Sequence, residues 1–130
     1  RKVTELHGSL WHVRCDETGE QMHSRTSPFE AQRPDGYWWR PDIVWFEDTL
    51  PMQTIEHAIG LVQTTDVLIS IGTSAMVYPA AGLPLEAKKN GALLIEVNPQ
   101  ETPISHVFDI QMRMSANEAL EKISARLQTP

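Results

Sequence analysis

Residues 67–74, Val67-Leu68-Ile69-Ser70-Ile71-Gly72-Thr73-Ser74, decide the fold of this chain. A short apolar run that ends in glycine and hydroxyl residues is typical of a buried strand that turns into a helix. In open α/β sheets, ligands bind beyond the carboxyl ends of such strands, where a glycine lets the backbone approach a cofactor closely. The hydroxyls of Thr73 and Ser74 can hydrogen-bond to a ribose or a phosphate, or they can cap the following helix.

The sequence around this run is regular from Pro51 onward. The first predicted element is a helix that Pro51 opens and that carries Met52, Ile55, Ile59 and Val62. It is followed by a strand over 67–71 and by a helix over 84–90 that ends at Gly91. Strands over 92–97 and 107–112 come next, and the last element is a helix that carries Leu120, Ile123 and Leu127. Ser115 and Glu118 form a capping box for the last helix. Near-continuous apolar strands between helices predict a parallel sheet covered on both faces. The predicted fold class is therefore α/β, a three-layer α/β/α Rossmann-like parallel sheet.

The first 48 residues are irregular by comparison. Alternation over 3–13 predicts a short strand, residues 16–20 indicate a turn, and the polar stretch over 26–40 predicts an exposed loop. Five aromatic residues then cluster: Tyr37, Trp38, Trp39, Trp45 and Phe46. Exposure of the first three would favour a surface for a partner, and burial would favour a clamp on the loop.

Composition limits the classes of partner and compartment. The 130 residues include 11 Lys and Arg against 17 Asp and Glu, a net charge of −6 without blocks of one sign. Proteins that bind a nucleic-acid backbone concentrate basic residues on one face, so no nucleic-acid partner is expected. No apolar run approaches the roughly 20 residues that span a bilayer, so no membrane partner is expected either. Cys15 is the single cysteine, which fits a reducing compartment, and we expect a cytoplasmic protein.

One signal of a nucleotide-binding half-domain is missing from the sequence. Such a half begins with a strand that leads into a glycine-rich phosphate turn, and the chain contains no G-x-G-x-x-G or related loop. The chain opens abruptly on Arg1-Lys2-Val3-Thr4-Glu5. We therefore expect an incomplete sheet with one bare, apolar edge, as in the second half of a larger domain.

Four segments, in the right order, resemble the sirtuins, the NAD-dependent protein-lysine deacylases. They are residues 5–10, similar to the family's His-Gly segment; 40–48, similar to its RPxVVWFGE substrate segment; 71–84, similar to its GTSxxVyPAAxxP cofactor turn; and 96–99, similar to its E-x-N strand end. The bacterial type is the most similar branch, through Val13-Arg14-Cys15 and Tyr78-Pro79-Ala80-Ala81. The resemblance implies the C-terminal half of a sirtuin-like domain. Residues 1–48 would be a remnant of the small zinc module and substrate region, and residues 49–130 the C-terminal half of the Rossmann-like domain.

The resemblance also implies roles for individual residues. His7 would be the catalytic base, and an imidazole suits that role because its unperturbed pKa is about 6.5. NAD would be held by Gly72, Thr73, Ser74 and Asn98, with Pro99, Gln100 and Ala116 on its adenine side. An acyl-lysine protein or peptide would bind along Val44, Trp45, Phe46 and Glu47. His7, Thr73, Ser74 and Asn98 are then expected to share one cleft.

The residues by themselves leave simpler interpretations open. His7 could be an ordinary histidine at a strand end, and Asn98 could close a turn before Pro99. Trp45 and Phe46 could pack in a core or against a loop.

Three departures from the family pattern change these expectations. The family's N-terminal half is missing, including its phosphate loop and the segment around the nicotinamide pocket. Zinc is not expected, because a structural site needs four ligands and only Cys15 remains; His12 and His23 are near it in sequence but leave a fourth ligand unfilled. Cys15 is expected as a buried free thiol. Glu47 replaces a family glycine, so the backbone there is expected to be less able to adopt an unusual conformation.

The reaction implied for the complete enzyme yields free lysine, nicotinamide and O-acyl-ADP-ribose. The alternative is a non-catalytic remnant or binding module that has lost NAD turnover. The 130 residues alone are expected to be inactive and to bind NAD weakly, because the pyrophosphate would lack a helix N-terminus. The bare sheet edge is expected to pair with the missing half of the domain or with a second copy. The sequence does not specify the acyl group or the substrate protein.

Overall fold

The computed structural model describes residues 3–127, which divide into two compact units between Thr54 and Ile55. The strands are β1 (Gly8–Arg14), β2 (Gln21–His23), β3 (Arg40–Ile43), β4 (Val67–Ile71), β5 (Leu93–Val97) and β6 (Ile110–Met112), and the helices are α1 (Met52–Gln63), α2 (Leu83–Lys89) and α3 (Ala116–Leu127). Short 3-10 turns over Ala80–Gly82 and Ser105–Val107 precede α2 and β6. Within residues 3–127, no helix combines the length and apolarity needed to cross a membrane.

The first unit is built on a three-stranded antiparallel sheet in the order β2-β1-β3. Arg33 fastens the loop between β2 and β3. Its guanidinium donates to Asp35 (2.6 Å) and to Glu20 (2.8 Å), and it lies 4.3 Å from the centre of the Trp39 ring. These contacts hold the loop through charge-assisted hydrogen bonds and a cation–π interaction.

Two predictions for this unit need correction. The strand predicted over 3–13 begins only at Gly8, because Gly8 has a φ of +78° and its amide closes a turn on the carbonyl of Glu5. The loop predicted over 26–40 ends where β3 begins, at Arg40. The sequences of β2 and β3 do not predict strands, because β2 has only three residues and β3 contains a proline.

The aromatic cluster of the first unit divides between the two expected roles. Tyr37 and Trp38 are exposed, as a surface for a partner requires. Trp39 is half-buried beneath the guanidinium of Arg33 and therefore clamps the loop.

The second unit has the predicted order of helix, strand, helix, strand, strand and helix. β4, β5 and β6 form a parallel sheet in that order, with Leu68 opposite Leu94 and Ile95 opposite Ile110. Leu94 is fully buried in a cluster with Ala87 of α2 and with Phe108. The capping box is also present, since Ser115 and Glu118 each donate a backbone amide to the other's side chain. The α/β class with a parallel sheet is confirmed.

Two features of this unit differ from prediction. The strand predicted over 107–112 begins at Ile110, because residues 105–107 form a 3-10 turn and Phe108 turns into the core. Cover of the sheet is also less complete than expected. One face keeps a row of apolar side chains that are more than a third exposed in the part of the chain described: Val67, Ile69, Ile71, Leu93 and Ile110.

Candidate functional site

The three parallel strands end together at one edge of the sheet. Ile71 lies opposite Val97, and Val97 lies opposite Met112. The amide of Gly72 donates to the carbonyl of Val97 (3.0 Å), and the amide of Asn98 donates to the carbonyl of Met112 (3.1 Å). The structure therefore brings the predicted cofactor segments 72–74 and 98–100 together, where ligands bind in open α/β sheets. Ala116 begins α3 shortly after the third strand.

The side chain of Asn98 joins the first two of these turns. Its Nδ2 donates to the carbonyl of Thr73 (2.8 Å), and its Oδ1 accepts from the amide of Gln100 (3.1 Å). Thr73 Oγ1 in turn accepts from the amide of Ala75 (3.1 Å). Asn98 thus closes its own turn, as the simpler interpretation proposes, and it also holds the β4 turn against the β5 turn.

These turns retain hydrogen-bonding capacity that a ligand can use. Thr73 keeps its hydroxyl proton and Asn98 keeps a second amide proton. The hydroxyl of Ser74 bonds to no other residue in the range 3–127. Thr73 and Ser74 are exposed, as are Pro99 and Gln100 beside them. Such hydroxyl and amide groups fit the hydroxyls of a ribose and the polar edge of a purine.

In the first unit, the structure places His7 beside the predicted substrate segment. The carbonyl of His7 accepts a hydrogen bond from the amide of Val44 (3.0 Å), and Gly8 pairs with Ile43 in the sheet. The imidazole of His7 is exposed and bonds to none of the residues that the structure describes. Its ring nitrogens are therefore free to exchange a proton with a bound molecule.

The glycine after His7 is required by packing. A Cβ at Gly8 would lie 2.0 Å from the carbonyl oxygen of Asp42, and the φ of +78° disfavours side chains as well. Only a glycine lets β1 start this close to β3. The His-Gly pair therefore fixes the position of the His7 backbone next to residues 44–47.

A tight turn after β3 presents two aromatic rings to solvent. Asp48 fixes this turn, since its carboxylate accepts from the amide of Trp45 (3.2 Å) and from the guanidinium of Arg40 (2.9 Å). The hydrogen bond from Arg40 holds the pKa of Asp48 below its usual value. Trp45 is 56% exposed and Phe46 is 89% exposed, so neither packs in a core. Because β3 is an edge strand, this exposed segment suits an extended peptide.

Glu47 contradicts the expectation that its side chain would keep the backbone from an unusual conformation. Its φ is +77°, in the left-handed region that a glycine adopts readily. A residue with a Cβ pays roughly 1–2 kcal/mol for this conformation. The backbone of the turn is therefore strained at Glu47, whose carboxylate is exposed.

A cluster of charges supports the base of the same turn. Arg14 lies 2.9 Å from Asp16, 3.6 Å from Asp42 and 3.7 Å from Asp48, and Arg40 lies 2.9 Å from Asp16. These ion pairs join β1, β3 and the turn over 44–48. These ion pairs were not predicted, although Arg14 with Asp16 and Arg40 with Asp42 are oppositely charged residues two positions apart in the sequence.

A buried carboxylate lies close to the sheet edge, and the sequence indicated it only as the first residue of the segment 96–99, without a role. Glu96 on β5 is 2% exposed, and its oxygens accept from Thr102, Ser105 and Arg113 at 2.6 Å each. The available signal was an acidic residue inside an apolar strand, with hydroxyl residues shortly after it.

Cys15 is the buried free thiol that the sequence predicts. It is fully buried and donates to the carboxylate of Glu17 (3.2 Å). His12 and His23 lie opposite each other on β1 and β2, with ring centres 5.2 Å apart. Among residues 3–127, no group of three or more His, Cys, Asp or Glu side chains is arranged to hold a metal ion.

Sequence comparisons relate the chain to one family of proteins. The model of the Sir2 family matches residues 1–79. The NAD-dependent protein deacylase of Aquifex aeolicus is 43% identical in an alignment of 127 positions that covers 95% of this chain and 53% of that protein. The NAD-dependent protein deacylase of Mycolicibacterium paratuberculosis is 41% identical in an alignment of 135 positions that covers 98% of this chain and 57% of that protein. The chain spans about half the length of the curated relatives it matches.

Solved structures give the same relationship. The crystal structure of a Sir2 homolog–NAD complex superposes with a TM-score of 0.93 at 36% identity, over 98% of this chain and 52% of that chain. The structure of Sir2Tm bound to a propionylated peptide superposes with a TM-score of 0.88 at 28% identity, over 100% of this chain and 58% of that chain.

Proposed function

The chain belongs to the Sir2 family, and we propose that it is part of an NAD-dependent protein deacylase that acts on acyl-lysine side chains. The observation that carries the proposal is the hydrogen-bonded pair of turns at the sheet edge, where Asn98 Nδ2 meets the carbonyl of Thr73. These turns hold the residues that resemble the family's cofactor segments. The names of the relatives, NAD-dependent protein deacylases, support the same activity.

The residues at the sheet edge fit one part of NAD. Exposed hydroxyls at Thr73 and Ser74, and the amide of Asn98, would hold the ribose and adenine portion, with Pro99, Gln100 and Ala116 on the adenine side. The sequence contains no glycine-rich turn for the pyrophosphate. NAD, when bound, supplies a ribose carbon that loses nicotinamide and takes up the acyl oxygen.

We assign the proton transfer to His7. Its exposed imidazole would accept a proton, at a ring nitrogen, from a ribose hydroxyl of the cofactor. That hydroxyl would attack the acyl group once the acyl oxygen is bonded to the ribose. The bond between the His7 carbonyl and the Val44 amide would keep the imidazole beside the bound acyl-lysine. Residues 44–47 would hold the peptide along the edge strand, with Trp45 and Phe46 against the lysine stem. The solved complex of Sir2Tm with a propionylated peptide supports a peptide as substrate.

The sheet of the second unit would pair with another strand along β4. β4 is the first strand of the sheet, and no strand lies on its outer side within residues 3–127. Exposed apolar residues on β4 favour such pairing. The partner would be the part of the family domain that this chain does not match, or a second copy of the chain.

An activity assay on the gene product that carries this sequence tests the proposed function. We expect an acyl-lysine peptide to lose its acyl group, with release of nicotinamide, only when NAD is present. The unacylated peptide is the matched control, and the isolated 130-residue chain is expected to be inactive. A gene product that binds the peptide but leaves the acyl group in place with NAD would contradict the proposal and favour a non-catalytic binding module.

A further inference from the structure

Glu96 is a fully satisfied carboxylate in the interior of the second unit. Its Oε1 accepts from the hydroxyl of Thr102, and its Oε2 accepts from the hydroxyl of Ser105 and from the guanidinium of Arg113, each at 2.6 Å. Burial by itself raises the pKa of Glu96, but these three donors outweigh it and leave the pKa below its usual value. The carboxylate is therefore ionised at neutral pH.

The donors to Glu96 come from the segment that connects β5 to β6 and from the residue that follows β6. Thr102 and Ser105 also bond to each other, since the Thr102 amide donates to Ser105 Oγ (2.8 Å) and the Ser105 amide donates to the Thr102 carbonyl (3.0 Å). Arg113 donates in addition to the side chain of Gln111 on β6 (2.7 Å), and Gln111 donates to the carbonyl of Ser105 (2.6 Å). Glu96, together with Gln111, thus anchors a segment that has no strand and only a single 3-10 turn of its own.

The same segment begins with the turn at the sheet edge. Asn98 follows Glu96 by two residues, and its side chain reaches both Gln100 and the carbonyl of Thr73. A segment released from Glu96 at Thr102 and Ser105 would be held less tightly at 98–100, because the remaining bonds there are those of Asn98 and a long one (3.5 Å) from Arg113 to the carbonyl of Gln100. The bridge from Asn98 to the β4 turn depends on the segment remaining in place.

We infer that Glu96 is a positioning residue for the nucleotide: its carboxylate holds the segment 98–105, and through Asn98 the β4 turn, in the arrangement that binds the adenosine portion of NAD. This inference rests on the proposed function. It assigns Glu96 to ground-state binding of the nucleotide and not to the chemical step. Loss of the carboxylate should therefore raise the KM for NAD and leave kcat nearly unchanged.

Glu96→Gln in the gene product tests the inference, because glutamine keeps the size of the side chain and removes its charge. The matched control is Asp109→Asn. Asp109 also pairs with a cation, Lys88 (2.8 Å), and accepts from a backbone amide, that of Leu94 (2.9 Å), but it precedes β6 at the other end of that strand. Both variants are compared with wild type under conditions in which all three proteins are folded, as checked by circular dichroism.

Three measurements decide the outcome. In Glu96→Gln, amide hydrogen exchange over residues 98–105 should be at least about tenfold faster than in wild type. The Kd for ADP-ribose and the KM for NAD should both rise at least about tenfold, with kcat changed by less than about twofold. Asp109→Asn should leave exchange over 98–105 and nucleotide affinity near the wild-type values.

The possible failures are distinguishable. Wild type that binds neither ADP-ribose nor NAD contradicts the proposed function, and the inference fails with it. Wild type that binds normally, together with unchanged exchange over 98–105 in Glu96→Gln, overturns the inference alone. Faster exchange with unchanged nucleotide affinity also overturns it, because Glu96 would then stabilise the segment without positioning the nucleotide.

Discussion

At the residue scale, the size of the side chain at position 8 decides whether β1 can approach β3. We predict that Gly8→Ala lowers the free energy of unfolding by about 3 kcal/mol, because the added Cβ would lie 2.0 Å from the Asp42 carbonyl oxygen. Gly36→Ala is the matched control, since Gly36 also has a positive φ, +89°, but open space around it. That control should cost only about 1 kcal/mol. If urea denaturation gives the same loss of free energy of unfolding for both variants, a clash between the added Cβ and Asp42 is contradicted.

Glu47 provides a second prediction at this scale. Glu47→Gly should raise the free energy of unfolding by roughly 0.5–1 kcal/mol, because a glycine adopts the observed φ of +77° without the cost of a Cβ, partly offset by its greater freedom when unfolded. Glu47→Ala keeps the Cβ and should give no such gain. A gain of the same size in both variants would show that the charge of Glu47, and not its backbone strain, destabilises the turn.

At the scale of elements, the parallel sheet could be predicted and the antiparallel one largely could not. β4 and β5 are apolar runs between helices with clear start and stop signals, so their type followed from the pattern. β2 and β3 have no such pattern, and the start of β1 is set by a turn at Gly8 that depends on a tertiary contact with Asp42. Strands that exist because of their neighbours carry little signal of their own.

In the candidate site too, some features could be predicted from the sequence and others could not. Residues 72–74 and 98–100 follow apolar strands, and parallel strands necessarily bring such turns to one edge. The ion pairs of Arg14 and Arg40, and the partners of Glu96, join residues that are distant in sequence. Their pairing depends on the finished fold, so the sequence could indicate the charges but not their partners.

At the scale of the whole molecule, the uncovered sheet face has a consequence for the isolated chain. We predict that the 130-residue chain self-associates, because apolar residues of β4 are exposed beside an unpaired strand edge. Light scattering should show a mass that rises with concentration. Ile69→Lys on the exposed face should reduce this association, and Glu121→Lys on the exposed side of α3 should not. A wild-type chain that stays monomeric over the whole range would contradict the prediction.

The most direct test of the role of His7 is the steady-state rate at which the gene product removes the acyl group from an acyl-lysine peptide in the presence of NAD, measured for wild type, His7→Ala and His12→Ala. We predict that His7→Ala lowers the rate about 10²–10⁴-fold, because a general base is lost, while its affinity for ADP-ribose stays near that of wild type. His12→Ala, which removes a histidine of the neighbouring strand β1, should keep nearly the full rate. Equal rates in the two variants would contradict the assignment of His7 as the base.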